Sequence, residues 1–399
     1  MKGRAFIQAL FLVLFLVGSW FLLFMRLAKE EPIDPGEVPS PSVSQDEQVE
    51  PPVAEAPSPP QPDTPKQVQP TPPESWAAWI QHLESASSPE AMRTALKQLA
   101  DSILSSPKED ALQAILEFLQ SGADLKTGLG FQPGPENSLV GTASLRAFLL
   151  DLLHQLDPGL AAEWATDELS RLGTSLTPDV YAVHLRNYAL GTTDPEEARI
   201  DFLNRRLEAA LQDDQWTGNP SSAIAELLDV AVYTGETAFV PEFSNLMKIG
   251  DPQMLRRAAA LAIERLVDKD PVVALTEILE QDTWPEGMEK ARAGYFARMD
   301  PGLAGAPELL EEYLTSPKVS AGEARFFLLS FPNLNQSLSH NLLSSQISIT
   351  GASTNQEIMK AALDLVRDWR SEPGMSRLEP TLTEVEEAIN ERLYGRVNP

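Results

Sequence analysis

Side chains capable of nucleophilic or metal chemistry are sparse in this chain of 399 residues, which contains no cysteine and four histidines, His82, His154, His184 and His340. Without cysteine there is no thiol nucleophile, no thiolate metal site and no disulfide. The histidines are far apart in sequence, and no His-Glu-x-x-His spacing occurs that would set two of them on one helix face as metal ligands. His184 falls between Tyr181 and Tyr188 on an expected helix, which predicts a packed or capping side chain. Gly128-Leu129-Gly130 lacks the following Lys-Ser/Thr and the preceding strand of a phosphate-cradling loop. The run Asp213-Asp214-Gln215-Trp216-Thr217-Gly218-Asn219 has the flavour of a calcium loop, but Ile224 stands at the twelfth position, where a bidentate glutamate would be needed. Carboxylates are abundant, as at Glu196-Glu197, Glu311-Glu312 and Glu386-Glu387, and a glycosidase would need two of them about 5–10 Å apart across a cleft. Sequence spacing does not place any two in that way. The expectation is no catalytic residue, no cofactor and no metal. A polysaccharide-acting enzyme of all-α fold stands as a third reading.

The elements that would position these residues read as helices from residue 74 onward. Apolar residues recur at spacings of three and four. Leu255, Ala259, Ala262 and Leu266 share one face, and Leu112, Ile115 and Leu119 another. Trp76, Trp79 and Leu83 share a face of the first helix and are expected to cap the end of the core. A capping residue followed by proline occurs at Ser88-Pro89, Ser106-Pro107, Asp157-Pro158, Thr177-Pro178, Asp194-Pro195 and Asn219-Pro220. It recurs at Asp251-Pro252, Asp270-Pro271, Asp300-Pro301 and Ser316-Pro317. The oxygen-bearing side chain accepts from orphan amides of the first turn, and proline at the first helical position forfeits no bond. Glycines 122, 173, 191, 235 and 250 mark expected helix ends. Ile347-Ser348-Ile349 is the nearest approach to a strand. Such a train of short helices buries a stripe against sequence neighbours, the logic of an α-solenoid.

One stretch carries a family resemblance. From Gly250 to Asp268 the chain reads Asp251-Pro252, then Leu255-Arg256, then Ala259-Ala260, then Ala262-Ile263, and this resembles a HEAT or HEAT-like repeat helix. It departs from that pattern by one extra residue between Asp-Pro and the aliphatic-Arg pair, and by Glu264 where glycine is common. The resemblance covers this repeat well and the rest of the helical region by texture. It implies an all-α fold, a superhelical stack of antiparallel helix pairs, with a concave protein-binding surface.

Upstream, Ala5–Met25 is 21 residues without a formal charge. As a helix it would reach about 31 Å, enough for the hydrocarbon core of a bilayer. The apolar run continues past the small residues Val17-Gly18-Ser19, which favours an uncleaved signal anchor over a signal peptide. The expected organisation is a cytoplasmic tail over 1–4, a transmembrane anchor over 5–27, a disordered Pro-rich linker over 28–73 and a helical repeat domain over 74–399. The linker, with 14 prolines between Pro32 and Pro73, would extend to about 130 Å at most as polyproline II. Lys2 and Arg4 before the span nearly balance Arg26 and Lys29 after it, so orientation with the bulk outside the cytoplasm rests on the short leader.

The formal charge of −27 opposes binding to nucleic acid and to anionic lipid surfaces. Gly122 to Gly141, with five glycines, is too long for a plain helix–helix turn. It is read either as a packed loop or as one presenting an exposed aromatic at Phe131. Leu129, Phe131, Arg256 and Arg257 are the candidate partner-contacting residues. The function expected is a single-pass membrane-anchored helical-repeat scaffold that binds a protein partner in the periplasm or outside the cell. The alternative is a structural envelope spacer or self-assembling component.

Overall fold

Helix starts in this chain are encoded in residue pairs. At Ser88-Pro89, Asp157-Pro158 and Asp270-Pro271 the helix begins on the proline and the preceding side chain caps it. Ala91 N–H donates to Ser88 Oγ at 3.2 Å, Leu160 N–H to Asp157 Oδ1 at 3.0 Å, and Val273 N–H to Asp270 Oδ1 at 3.4 Å. Thr177-Pro178 begins a helix in the same register without the side-chain bond. At Ser106-Pro107 and Asp194-Pro195 the proline is itself the cap, and the helix starts one residue later. Asp300-Pro301 and Ser316-Pro317 make turns instead. Asp300 Oδ1 accepts from Gly302 N–H at 2.8 Å and Ser316 Oγ from Lys318 N–H at 3.2 Å, and the helices follow at Ala306 and Ala321. A short oxygen side chain stabilises an isolated turn as readily as a helix start, so the residues that follow decide between them.

The computed structural model describes residues 75–134, 138–171, 176–218, 221–248, 253–335, 340–344 and 353–395. The expected anchor at 5–27, the linker at 28–73, the pairs Asn219-Pro220 and Asp251-Pro252, and Ile347-Ser348-Ile349 lie outside the described residues. Among the described residues the fold is all-α, with seventeen α-helices and a single two-stranded hairpin. No helix among them is long and apolar enough to cross a membrane.

In chain order the first helices are α1 (Trp76–Glu84), α2 (Pro89–Leu104) and α3 (Lys108–Gln120), followed by strands β1 (Gln132–Pro133) and β2 (Leu139–Gly141). Then come α4 (Leu145–Leu156), α5 (Pro158–Ser170), α6 (Pro178–Gly191), α7 (Glu196–Leu211), α8 (Asp214–Thr217) and α9 (Ile224–Thr234). A 3-10 turn, Thr237–Phe239, leads into α10 (Val240–Met247), α11 (Gln253–Lys269), α12 (Pro271–Glu280), α13 (Glu289–Ala297), α14 (Ala306–Thr315) and α15 (Ala321–Ser330). The last helices are α16 (Asn355–Ser371) and α17 (Glu379–Tyr394). Thr354 and Glu357 form a reciprocal capping box at the start of α16.

Helices pack chiefly against neighbours one or two places along the chain. A central rank, α4, α6, α9, α11, α13, α15 and α17, makes contact in succession. The helices between them flank it: α5 against α4 and α6, α10 against α11 and α12, and α12 against α11, α13 and α14. The central helices α6 and α9 are buried on nearly every face, whereas α11 shows the expected stripe, with Leu255, Ala259, Ala262 and Leu266 all buried. At one crossing the approach is backbone to backbone. A Cβ on Gly191, the last residue of α6, would lie 2.0 Å from the carbonyl oxygen of Pro158 at the start of α5. At the N-terminal end of the helical region, Trp79 and Leu83 are buried and Trp76 Nε1–H donates to Ala114 O of α3 at 3.0 Å.

Phe131 does not present an exposed ring, contrary to that reading of the glycine-rich stretch. Leu129 and Phe131 are 7% and 6% exposed and belong to the main core. The cause is local. Gly122 and Gly128 take positive φ, at 72° and 70°, which glycine adopts without steric cost. The stretch then folds back onto the start of α4. Thr127 N–H donates to Ala143 O at 3.1 Å, Leu145 N–H to Leu125 O at 2.8 Å, and Thr127 Oγ1 to Thr142 O.

Candidate functional site

The central helices carry buried charges, and these come in pairs. Arg186 on α6 bonds Asp151 on α4, and Arg265 on α11 bonds Asp229 on α9. Arg298, just past α13, grips both oxygens of Asp268 on α11, each at 2.7 Å. Arg292 on α13 grips both oxygens of Glu323 on α15, at 2.6 and 2.8 Å, and Tyr313 O–H donates to Glu323 Oε1 at 2.8 Å. Buried ions require such partners, since desolvating an unpaired charge is prohibitive. Burial still leaves its mark: it pushes the Asp151 carboxyl up and the Arg186 guanidinium down, each opposed by the other's charge.

One pair differs from the others because a third, distant segment is seated on it. Asp229 and Arg265 are 1% and 2% exposed. Against this directly bonded pair lies Asn341–Ser344, a bend whose residues Asn341, Leu342 and Leu343 are buried. Ser344 N–H donates to Asp229 Oδ2 at 3.0 Å, and Ser344 Oγ donates to Asp229 Oδ1 at 2.7 Å. Arg265 Nη2 donates to both Ser344 O and Ser344 Oγ, each at 2.6 Å. Asn341 adds a side-chain bond to Asp229. One turn earlier on α9, Glu226 accepts from Leu342 N–H at 2.6 Å. Glu226 and Asp229 stand at i and i+3, so α9 turns both carboxylates to the same side, and the bend turns two amides toward them.

The electrostatics of this seat are unbalanced. Two carboxyl groups face one guanidinium. Burial, reinforced by the neighbouring Asp229 charge, pushes Glu226 up to about 8, against the opposing pull of the Leu342 amide and of Arg265. Asp229 is also raised by burial, with Arg265 opposing. The polar atoms of the seat are directed at main-chain groups and one hydroxyl. Asp229 and Arg265 thus hold the bend through charge-assisted hydrogen bonds to its main chain and hydroxyl.

The residues singled out by sequence lie elsewhere. Leu129 and Phe131 are core residues on the loop between α3 and α4. Arg256, half-buried, and Arg257, exposed, occupy the first turns of α11. The seat shares α11 with them, but Arg265 lies some 13 Å further along the axis at 1.5 Å per residue. What sequence reading missed is Glu226, Asp229, Arg265 and Asn341–Ser344. A signal for the first two was present: acidic residues at i and i+3 inside the otherwise apolar run 223–232 can only be buried if that helix is buried. His184 is packed, as its position predicts, and burial pushes it down to about 3. Among the described residues neither of its ring nitrogens has a hydrogen-bond partner. Asp213, from the calcium-like run, caps α8 by accepting from Gln215 N–H at 2.9 Å.

No family model matches this chain, and neither a curated protein nor a solved structure matches it significantly.

Proposed function

We propose that the helical region is a HEAT-like α-solenoid, and that the chain is a single-pass, membrane-anchored scaffold holding this solenoid outside the cytoplasm to bind a protein partner. The observation that carries this reading is an interval of 30 to 38 residues that recurs among the polar links between helices, beside shorter and longer ones such as Tyr181 to Arg206 over 25 and Tyr233 to Ala189 over 44. Arg186 to Asp151 spans 35 residues, Arg265 to Asp229 spans 36, Arg298 to Asp268 spans 30 and Arg292 to Glu323 spans 31. Tyr295 O–H reaches Ala260 O over 35, Lys269 reaches Val232 O over 37, and Trp76 reaches Ala114 O over 38. An interval of this size is that of a helix-pair repeat in general, where each unit contacts its neighbours and the stack shares one core, and is shorter than the about 40–47 residues of a HEAT unit, so the HEAT-like part of the reading rests on the Gly250–Asp268 stretch. Near-neighbour packing along a central rank favours the same reading. The anchor and linker rest on the sequence.

A surface suited to a partner runs along α7. Glu196, Glu197, Asp201 and Asn204, with Glu236 beyond α9, line an open groove of about 600 Å³. With the acidic net charge, this favours a partner with a basic face. The test is photo-crosslinking in intact cells, with the reactive side chain placed in turn at Glu197, Asp201 and Glu236. A protein adduct common to these positions is the expected result, and absence of any adduct at all three would overturn the partner reading. Protease accessibility on spheroplasts decides topology: residues 74–399 should be degraded from outside.

A further inference from the structure

We propose that Glu226, Asp229 and Arg265 form a peptide-binding seat, held in this structure by the chain's own Asn341–Ser344, and that its ligand is a protein segment presenting the same Asn-Leu-Leu-Ser bend. The proposal deepens the scaffold reading and rests on it for the partner being a protein.

Three observations carry it. The first is separation. The links between Glu226 or Asp229 and the seated segment span 115 or 116 residues, well beyond the links among the helices themselves, where even Arg377 to Leu314 spans 63. The segment therefore reaches α9 and α11 from far along the chain, and its Leu342 and Leu343 complete the core that these helices share. The second is the kind of contact. The seat reads two amides, one carbonyl and one hydroxyl, groups that any serine-bearing peptide offers, while burial of Leu342 and Leu343 adds selectivity for two aliphatic side chains. Main-chain bonds with side-chain pockets are how peptide grooves divide affinity from specificity. The third is the polarity. Glu226 and Asp229 have one guanidinium between them, so a vacated seat would leave buried carboxyl oxygens without donors, which desolvation makes costly. Replacement of one occupant by another of the same chemistry avoids that cost, and emptying the seat does not. A segment bound in cis lowers the apparent affinity for a segment in trans by the fraction of time the seat is open.

The test uses the purified full chain and a capped, fluorescent peptide of the sequence His-Asn-Leu-Leu-Ser. In the wild-type chain, a saturating concentration of peptide should accelerate amide hydrogen exchange in residues 340–344. In Leu342→Asp, which puts a carboxylate where a leucine packs in the core, the internal segment is unseated and the peptide should bind at least about tenfold more tightly than to wild type. The Ser344→Ala peptide should lose that gain. The proposal is overturned if the Leu342→Asp chain keeps its helical circular dichroism and binds the peptide no better than wild type does. Should Leu342→Asp not fold, Ser344→Ala in the chain takes its place, since it retains both leucines, and equal peptide affinity in that variant overturns the proposal in the same way. Failure here would leave the scaffold reading intact, because the crosslinking positions lie on the α7 groove and not on the seat.

Discussion

A carboxyl at Glu226 titrates from an ordinary value of 4.5 and is pushed up to about 8 in the fold. The folded state therefore holds a proton that the unfolded chain has lost across that interval. The stability linked to it is complete below 4.5 and is lost as pH rises to 8. His184 acts in the opposite sense. Its folded value is about 3 against 6.5, so the unfolded chain binds the extra proton, and stability is lost as pH falls below 6.5. From these two groups the slopes offset one another between 4.5 and 6.5. Above 6.5 only Glu226 contributes, and stability falls toward pH 8 by at most about 1.4 kcal/mol per unit. Asp229, also raised by burial, adds to the fall above its own ordinary value, while the Arg265 charge opposes both. Glu226→Gln keeps an oxygen to accept from the Leu342 amide and removes the titration. Urea unfolding at pH 6.5 and 8 should show a fall in wild type that is much reduced in Glu226→Gln. An unchanged fall would mean that another group is responsible.

At the scale of the element, capping offers a controlled comparison. Asp270 and Thr177 both precede a proline that opens a helix, but only Asp270 accepts from the first turn. Asp270→Ala should therefore cost about 0.5–2 kcal/mol, and Thr177→Ala only a few tenths, read from urea midpoints at constant slope. The crossing of α5 and α6 makes a harsher demand. Gly191→Ala sets a methyl group against the Pro158 carbonyl, and backbone cannot swing aside as a flexible side chain can. Destabilisation of at least about 1–3 kcal/mol is expected in the same measurement, and a neutral effect would show that the two helices can part freely. These local features are the ones legible from sequence, because a cap acts over three residues and a helix stripe over four. The all-α class and the buried face of α11 were readable for that reason. Asp300-Pro301 misled, since the turn it caps is not extended into a helix until Ala306. Of the two readings of the glycine-rich stretch, the packed loop is the one the structure has, with Phe131 in the core, because two glycines at positive φ fold it inward, and composition alone does not say which way a loop turns. The burial of Glu226 and Asp229 had a signal in the apolar run around them, but their partners were illegible for a different reason. Glu226, Asp229, Arg265 and Ser344 are brought together across more than a hundred residues, and no periodicity or short motif spans that distance.

At the scale of the whole molecule, the seated segment bears on cooperativity. Helices that contact only near neighbours contribute stability nearly as a sum of local terms, and an array of this kind can lose one end while the other persists. Asn341–Ser344 works against that by tying the chain beyond α15 to α9 and α11. Closing so long a loop is entropically affordable, because the cost grows only with the logarithm of its length, and five bonds to the buried Glu226, Asp229 and Arg265 hold it closed. The middle and later helices should therefore open together. Native-state hydrogen exchange in rising denaturant checks this through the slowest amides of α9 and of α15. In wild type the two sets should converge on one opening free energy. In Ser344→Ala, which removes the hydroxyl shared by Asp229 and Arg265, α15 should open at lower free energy than α9. If the two sets remain merged in the variant, cooperativity comes from the stacked core alone and the segment is a passenger.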